Sequence, residues 1–263
     1  MSPTPNRIDA DMVRHLFDLT GRVAIVTGGT RGIGLAIAEG FAAAGAAVVV
    51  ASRKSDACAE VAAALSASGA DAIGVPTHLG DLDAGKALVD TTVARFGRLD
   101  ILVNNAATAL TQPVGEFTPD AWSKVYDVNL RGPVFLAQEA VPHLEASPSA
   151  SIVNVISAGA FLFSVPTAMY SGAKAALMSL TRSMAGAYAG RGIRVNALAP
   201  GSVDTDMMRN NTPEAVDRMG AASLMKRIAS PAEMVGPALF LASDASSFMT
   251  GQVLLVDGGL APH

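Results

Sequence analysis

Tyr170 and Lys174 stand four residues apart in Tyr170-Ser171-Gly172-Ala173-Lys174, and Ser157 lies one short segment upstream. On a helix, residues i and i+4 share a face, so this spacing sets an ammonium beside a phenol. A phenol titrates near pH 10, and a neighbouring positive charge is expected to lower that value. A tyrosine tuned toward neutrality can exchange a proton with an alcohol or carbonyl oxygen. Such pairs also occur on solvated helix faces, but the chain has only five lysines and three tyrosines. The residues after Lys174 (Ala175, Ala176, Leu177, Met178, Leu180) are strongly apolar, a poor setting for a merely solubilising charge.

The elements that must carry these groups alternate along the chain. Short β-branched runs are read as strands over Val23–Thr27, Ala47–Ala51, Ala72–Pro76, Ile101–Asn104, Ser151–Ile156, Arg194–Leu198 and Val253–Val256. Helices are read near Ile33–Ala44, Asp56–Ser68, Ala84–Phe96, Pro119–Leu144, Ala168–Ala189 and Pro231–Ser243. Most of the strands are apolar on both faces, as expected of a parallel sheet covered by helices on either side. The fold class expected is α/β, one doubly wound Rossmann-like domain over 20–263, preceded by an arm over 1–19. The segment 204–231 mixes Met207, Met208, Met219, Leu224 and Met225 with polar residues after the sixth strand. In open α/β sheets, ligands bind beyond the carboxyl ends of strands. This segment is therefore read either as a mobile, substrate-covering element with adaptable methionines or as an ordinary surface helix pair.

The first strand runs into Thr27-Gly28-Gly29-Thr30-Arg31-Gly32-Ile33-Gly34 and then directly into a helix. Glycines permit a tight turn and close approach of a pyrophosphate, and the helix N-terminus offers free N–H groups and a positive dipole end. The spacing is Gly28-x-x-x-Gly32-x-Gly34, longer than the G-x-G-x-x-G pattern. At the tip of the second strand the chain reads Ala51-Ser52-Arg53-Lys54, without an acid to accept a ribose 2′-hydroxyl. Arg31, Ser52 and Arg53 could clamp a 2′-phosphate. NADP(H) is therefore favoured and NAD(H) not excluded, since Asp56 lies close by.

Half of the 263 residues are hydrophobic and 16% are charged, which implies a large core and further burial between subunits. A net charge of −4 without basic runs argues against nucleic acid as a partner. The single Cys58 leaves no internal disulfide framework and no cysteine-rich metal site. Met1 to Asp18 carries charges throughout, so no secretory signal is read, and no apolar run is long enough to span a bilayer. A cytoplasmic location is expected. The four histidines, His15, His78, His143 and His263, are too scattered to suggest a metal site.

Taken together, the glycine loop, Asn104-Asn105-Ala106, Asn129, Ser157, Tyr170-x-x-x-Lys174 and Pro200-Gly201 resemble the short-chain dehydrogenase/reductase family, over about Gly21 to Gly259. The resemblance implies that Tyr170 is the general acid/base and that Ser157 hydrogen-bonds the reacting oxygen. It implies that Lys174 holds the nicotinamide ribose and lowers the Tyr170 pKa, and that Asn129 anchors a water in a proton relay. Asn105 and Ala106 would lie beside the adenosine ribose, His78 and Leu79 at the adenine, and Pro200, Gly201, Val203 and Thr205 at the nicotinamide carboxamide. Gly28, Thr30, Gly32, Ile33 and Gly34 would hold the phosphates. Hydride transfer belongs to such a cofactor, so the protein need supply only orientation, a proton and an oxygen-facing donor, with no metal.

Three positions depart from the family pattern. Ala107 stands where a glycine usually follows Asn-Asn-Ala, His78-Leu79 where an acid or amide usually precedes valine, and Ile156 where a small residue usually precedes the serine. Ala160-Phe161-Leu162-Phe163, with Met207 and Met208, could line an apolar pocket, or the phenylalanines could pack in the core. Neither a phosphate-reading cluster nor an acyl-carrier-sized basic patch is evident. The expected activity is hydride transfer between NADP(H) and a small neutral ketone or secondary alcohol, in a homo-oligomer that the resemblance makes a tetramer or dimer. The alternatives are an NAD-preferring alcohol or sugar dehydrogenase and a non-catalytic dinucleotide-binding module.

Overall fold

A computed structural model describes residues 8–261; the expectations for residues 1–7 and for His263 fall outside them. Seven parallel strands, β1 Val23–Thr27, β2 Ala47–Ser52, β3 Ala72–Pro76, β4 Ile101–Asn104, β5 Ala150–Val155, β6 Ile193–Pro200 and β7 Val253–Val256, form one sheet. Their order is β3-β2-β1-β4-β5-β6-β7. The order reverses between β1 and β4, so the crevice beyond their carboxyl ends is the topological switch point where open sheets bind ligands.

Both sheet faces are buried, which explains the near-continuous apolar strands. On one face Ile25, Val49, Leu102 and Ile152 pack with residues of α4 Leu82–Phe96, α6 Gly132–Leu144 and α7 Ala168–Tyr188. On the other, Ala24, Val26, Val48, Val50, Val103 and Val153 meet α2 Gly32–Ala43, α3 Ser55–Ala67 and α10 Val235–Ala242. This is the doubly wound α/β arrangement expected. The side chains alternate between the two clusters with the period of a strand. β1 and β4 are also joined at their start, where the buried Asp100 carboxylate accepts the Val23 N–H at 2.8 Å.

One expectation is corrected. The single helix expected over 119–144 is α5 Pro119–Tyr126, a π-turn over Asp127–Arg131, and then α6. Sequence periodicity does not register one inserted residue. Here the widened turn is supported by Asn129, whose Nδ2 donates to the Val125 carbonyl at 2.9 Å. The N-terminal arm contains a short helix, α1 Ala10–His15, capped by Asp9, whose carboxylate accepts the Met12 N–H at 2.8 Å. Among the described residues no helix is long and apolar enough to cross a membrane.

Candidate active site

The loop after β5 and the first turns of α7 bring the expected chemical groups together. Ser157 has extended backbone and opens a short turn in which its Oγ accepts the Gly159 N–H at 3.0 Å. The Ser157 hydroxyl lies near enough to the Tyr170 phenol to draw its pKa down. One turn further along α7, Lys174 is 1% exposed, and its Nζ donates to the Val155 carbonyl at 2.8 Å. The same Nζ lies 5.7 Å from the centroid of the Tyr170 ring.

Burial dominates the titration of both groups. It pushes the Tyr170 phenol up to about 12, with the Ser157 hydrogen bond pulling back part of the rise. It also pulls the Lys174 ammonium down to about 7. The expectation that Lys174 brings the phenol below its usual range is therefore corrected for the groups of the chain itself. The lysine is turned onto a strand carbonyl instead of the phenol oxygen, and an amine pulled to about 7 is only partly charged near neutrality.

Ser157, Tyr170, Lys174 and the expected nucleotide-binding residues line one cleft of about 1010 Å³ at the switch point. Asn129 does not line it. This residue is fully buried behind the wall, its Nδ2 donating to the Thr108 carbonyl at 2.7 Å and its Oδ1 accepting the Thr108 N–H at 3.1 Å. Its side chain thus ties the π-turn to the loop after β4.

At the other end of the cleft the glycine loop is a cradle that side chains would fill. Gly28 has φ +66 and Gly32 φ +55, the left-handed region that favours glycine. A Cβ on Gly34 would lie 2.2 Å from the Gly28 carbonyl oxygen. No side chain caps the first turn of α2, so its N–H groups stay available to an anion. Ile33 sits in that first turn and packs against the core beneath. Asn105 Nδ2 donates to the Thr27 carbonyl at 2.8 Å, holding the end of β4 against the loop. The fit is that of a dinucleotide pyrophosphate.

Sequence reasoning passed over Thr27 as a site residue. Its Oγ1 accepts the N–H groups of Asn105 at 2.9 Å and Ala106 at 3.1 Å, and donates to the Val103 carbonyl at 3.1 Å. A threonine ending an otherwise aliphatic strand was the available signal.

The expected phosphate clamp is divided. Ser52 Oγ accepts from Thr30 Oγ1 at 3.1 Å, fastening the glycine loop to the tip of β2. Arg53 is exposed and makes no ion pair among the described residues. Arg31 instead donates to Asp206 at 3.0 Å. Asp206 opens α8 Asp206–Arg209, which is followed by α9 Pro213–Ala222, so the segment after β6 contains a helix pair. Val203 and Ala229 form a bridge at its base, and Thr205 packs against Gly32. Gly201 lies against Asp257, where a Cβ would come within 2.7 Å, so Pro200-Gly201 turns tightly over β7.

At the adenine end, His78 is exposed and its Nδ1 accepts the Gly80 N–H at 3.1 Å. Leu79 is 5% exposed and belongs to the core, so its backbone rather than its side chain is what a ligand could meet. Met207, Met208 and Met219 line the cleft, whereas Phe161 and Phe163 do not. Phe163 is 93% exposed and Phe161 packs beside Leu177 and Ile156, which corrects the phenylalanine-lined pocket. Among the described residues no group of three His, Cys, Asp or Glu side chains is placed to hold a metal ion.

These features match known proteins along nearly the whole chain. The family model described as enoyl-(acyl carrier protein) reductase matches residues 28–261. A cis-4-hydroxycyclohexanecarboxylate dehydrogenase of Sinomonas cyclohexanicum is 41% identical, the match covering 90% of this chain and 96% of that protein. A 2-dehydro-3-deoxy-D-gluconate 5-dehydrogenase of Pseudoalteromonas atlantica is 38% identical over 92% of this chain and 97% of its own. A solved structure from Beutenbergia cavernae, with NADP bound at low occupancy, is 40% identical with a TM-score of 0.88, covering 94% of this chain and 100% of that one. The chain belongs to the short-chain dehydrogenase/reductase family, and it is an oxidoreductase of the class that acts on CH–OH groups.

Proposed function

We propose that this enzyme transfers a hydride between NADP(H) and a small ketone or secondary alcohol, with Tyr170 handling the proton. The observation that carries the reading is that Ser157, Tyr170 and Lys174 line the same cleft as the glycine cradle. A bound nicotinamide supplies the hydride, and its oxidised ring adds a positive charge to the cleft.

The chain's own groups then divide the remaining work. In the reductive direction the Tyr170 hydroxyl gives its proton to the carbonyl oxygen as negative charge develops there. Ser157 donates a hydrogen bond to the same oxygen and fixes its position. Lys174, partly protonated near neutrality, contacts the ribose and restores the proton to Tyr170. Asn129, whose side chain is committed to Thr108 and Val125, is proposed to act by holding the π-turn and the loop after β4 against the site. Arg53, with Ser52 beside it, is the group proposed to meet a 2′-phosphate. His78, Leu79, Asn105 and Ala106 are proposed for the adenosine end, and Pro200, Gly201, Val203 and Thr205 for the carboxamide. The helix pair within 204–231 is proposed to cover the substrate through its methionines. We further propose one domain over 20–263, in a homo-oligomer joined through α7 and the 249–259 segment, working in the cytoplasm.

An NAD-preferring dehydrogenase is the second reading, favoured by Asp206, which already engages Arg31. The test is the change in nicotinamide absorbance over a panel of ketones, sugars, hydroxy acids and alcohols, each with NADP(H) and NAD(H). Turnover preferring NADP(H), lost in Tyr170→Phe while cofactor binding persists, is expected. Full turnover by Tyr170→Phe would remove the proton-transfer role. Cofactor binding without turnover across the panel would favour a binding module.

A further inference from the structure

Helix α7 carries Tyr170 in its first turn, where Met169 is buried against Ala121 and Val125. Its N-cap residue, Thr167, makes no capping hydrogen bond, and the preceding loop exposes Leu162, Phe163 and Val165. With no N-terminal side-chain cap, the position of the phenol is set by that packing together with contacts further along the helix. Two buried hydrogen bonds tie α7 to adjacent residues of β5. One is Lys174 Nζ to the Val155 carbonyl at 2.8 Å. The other runs from Asn154 Nδ2 to Thr181 Oγ1 at 2.9 Å, and that hydroxyl in turn donates to the Leu177 carbonyl at 2.8 Å. Lys174 and Thr181 are seven residues apart, two turns along one helix face.

Asn154 is the centre of this arrangement. Its Oδ1 accepts from Asn104 Nδ2 at 2.9 Å, and Asn104 is its register partner on β4. Asn104 Nδ2 also donates to the Pro133 carbonyl at the start of α6, at 3.3 Å. Asn154 and Thr181 are fully buried, a costly place for polar groups unless their pairing specifies geometry. Neither faces the cleft.

We infer that Asn154 and Thr181 are positioning residues for the reaction, a second pin that fixes the axial position and rotation of α7 so that Tyr170 meets Ser157. The inference rests on Tyr170 being the proton-transfer group. A slip of one residue along a helix is about 1.5 Å and 100°, and about 1 Å of misplacement can lower a rate by about a hundredfold. Thr181→Val keeps the shape of the side chain but removes the acceptor, leaving Asn154 Nδ2 unpaired.

The experiment measures kcat, KM, cofactor Kd and the pH profile of kcat for Thr181→Val, Thr181→Ser and Asn154→Leu/Thr181→Val, with Tyr170→Phe alongside. Expected for Thr181→Val is a kcat lower by about ten- to a hundredfold, cofactor Kd near wild type and a displaced pH profile, with Thr181→Ser restoring all three. The double variant removes both partners of the Asn154–Thr181 bond and leaves Asn104 Nδ2 with the Pro133 carbonyl alone, so it is expected to recover part of the folding stability while kcat stays low. It therefore serves as the test if Thr181→Val does not fold. Wild-type kcat and pH profile in a folded Thr181→Val, or in the double variant, would overturn the pin. Full turnover in Tyr170→Phe would instead overturn the proposed function on which the pin rests.

Discussion

Lys174 donates its hydrogen bond to the Val155 carbonyl at 2.8 Å while standing 5.7 Å from the centre of the Tyr170 ring. The lysine thus serves the sheet and the phenol from one buried position, and burial weakens its charge. The consequence for stability has a sign. Lys174 titrates at 10.5 when unperturbed and at about 7 in the folded chain. Between those values the unfolded chain holds a proton that the folded chain has released, so stability rises with pH across that window. Below about pH 7 both states are protonated and this dependence vanishes.

Urea unfolding of the cofactor-free protein from pH 7 to 9 is therefore expected to show rising stability, by at most about 1.4 kcal/mol per pH unit. Lys174→Met should flatten that rise. Tyr170 acts oppositely at higher pH: its phenol moves from 10 to about 12, so its contribution is full below 10 and lost as pH climbs toward 12. A wild-type stability that falls between pH 7 and 9, or a slope unchanged in Lys174→Met, would contradict the buried-amine account.

Cofactor preference should separate the two arginines. Arg53 is free of ion pairs among the described residues, so Arg53→Ala is expected to weaken NADP(H) binding about tenfold, or about 1.4 kcal/mol, and leave NAD(H) nearly unchanged. Arg31 is shared with an exposed carboxylate, a pairing worth about 0.2–1 kcal/mol. Asp206→Asn should therefore tighten NADP(H) binding by no more than about fivefold. Titration of cofactor fluorescence against each variant checks both. Equal weakening of NADP(H) and NAD(H) in Arg53→Ala would place that residue away from the 2′ position.

The sheet was legible because its signal is redundant: seven short apolar runs separated by helical periods admit few topologies. The glycine loop was legible because a strand, a glycine cluster and a helix follow one another without interruption. Tertiary choices were not. Periodicity cannot reveal the π-turn at 127–131, since Asn129 supports it through a contact with Thr108 from another loop. Spacing put Lys174 beside Tyr170, but only the packed strand shows the ammonium committed to Val155. Arg31 read as a phosphate ligand because its partner, Asp206, is 175 residues away in sequence. Phe163 read as either a pocket or a core residue from its place after Ser157, and its 93% exposure is a property of the loop that carries it.

Asp100 is a buried carboxylate whose charge is held by geometry. Burial alone would raise its pKa, but hydrogen bonds from Arg98, Ser147 and the Val23 N–H keep it below the ordinary value. Its contribution to stability is present at neutral pH and is lost as pH falls through the folded-state pKa. Asp100→Asn should lower stability by about 1.5–3 kcal/mol at pH 7 and less in acid, because the charge-assisted bonds are the part removed. Thermal unfolding of both proteins at pH 7 and near pH 4 checks this. A deficit that grows on acidification would contradict it.

Two glycine-to-alanine changes should move stability in opposite directions, because one site is crowded and the other open. At Gly34 an added Cβ would lie 2.2 Å from the Gly28 carbonyl oxygen and 2.3 Å from Asn105 Nδ2. Backbone must move, the Asn105–Thr27 hydrogen bond is strained, and the cradle for the pyrophosphate changes shape. Gly34→Ala is expected to cost about 2–4 kcal/mol and to weaken cofactor binding at least about tenfold. Gly186 lies in the exposed interior of α7 with nothing within 4 Å of an added Cβ. There alanine only restricts the unfolded chain and favours the helix, so Gly186→Ala should gain about 0.5–1 kcal/mol and leave cofactor affinity unchanged. Unfolding midpoints and cofactor titrations of the two variants, side by side, decide the matter. A Gly34→Ala protein as stable and as tightly binding as wild type would mean that the loop does not form the cradle described.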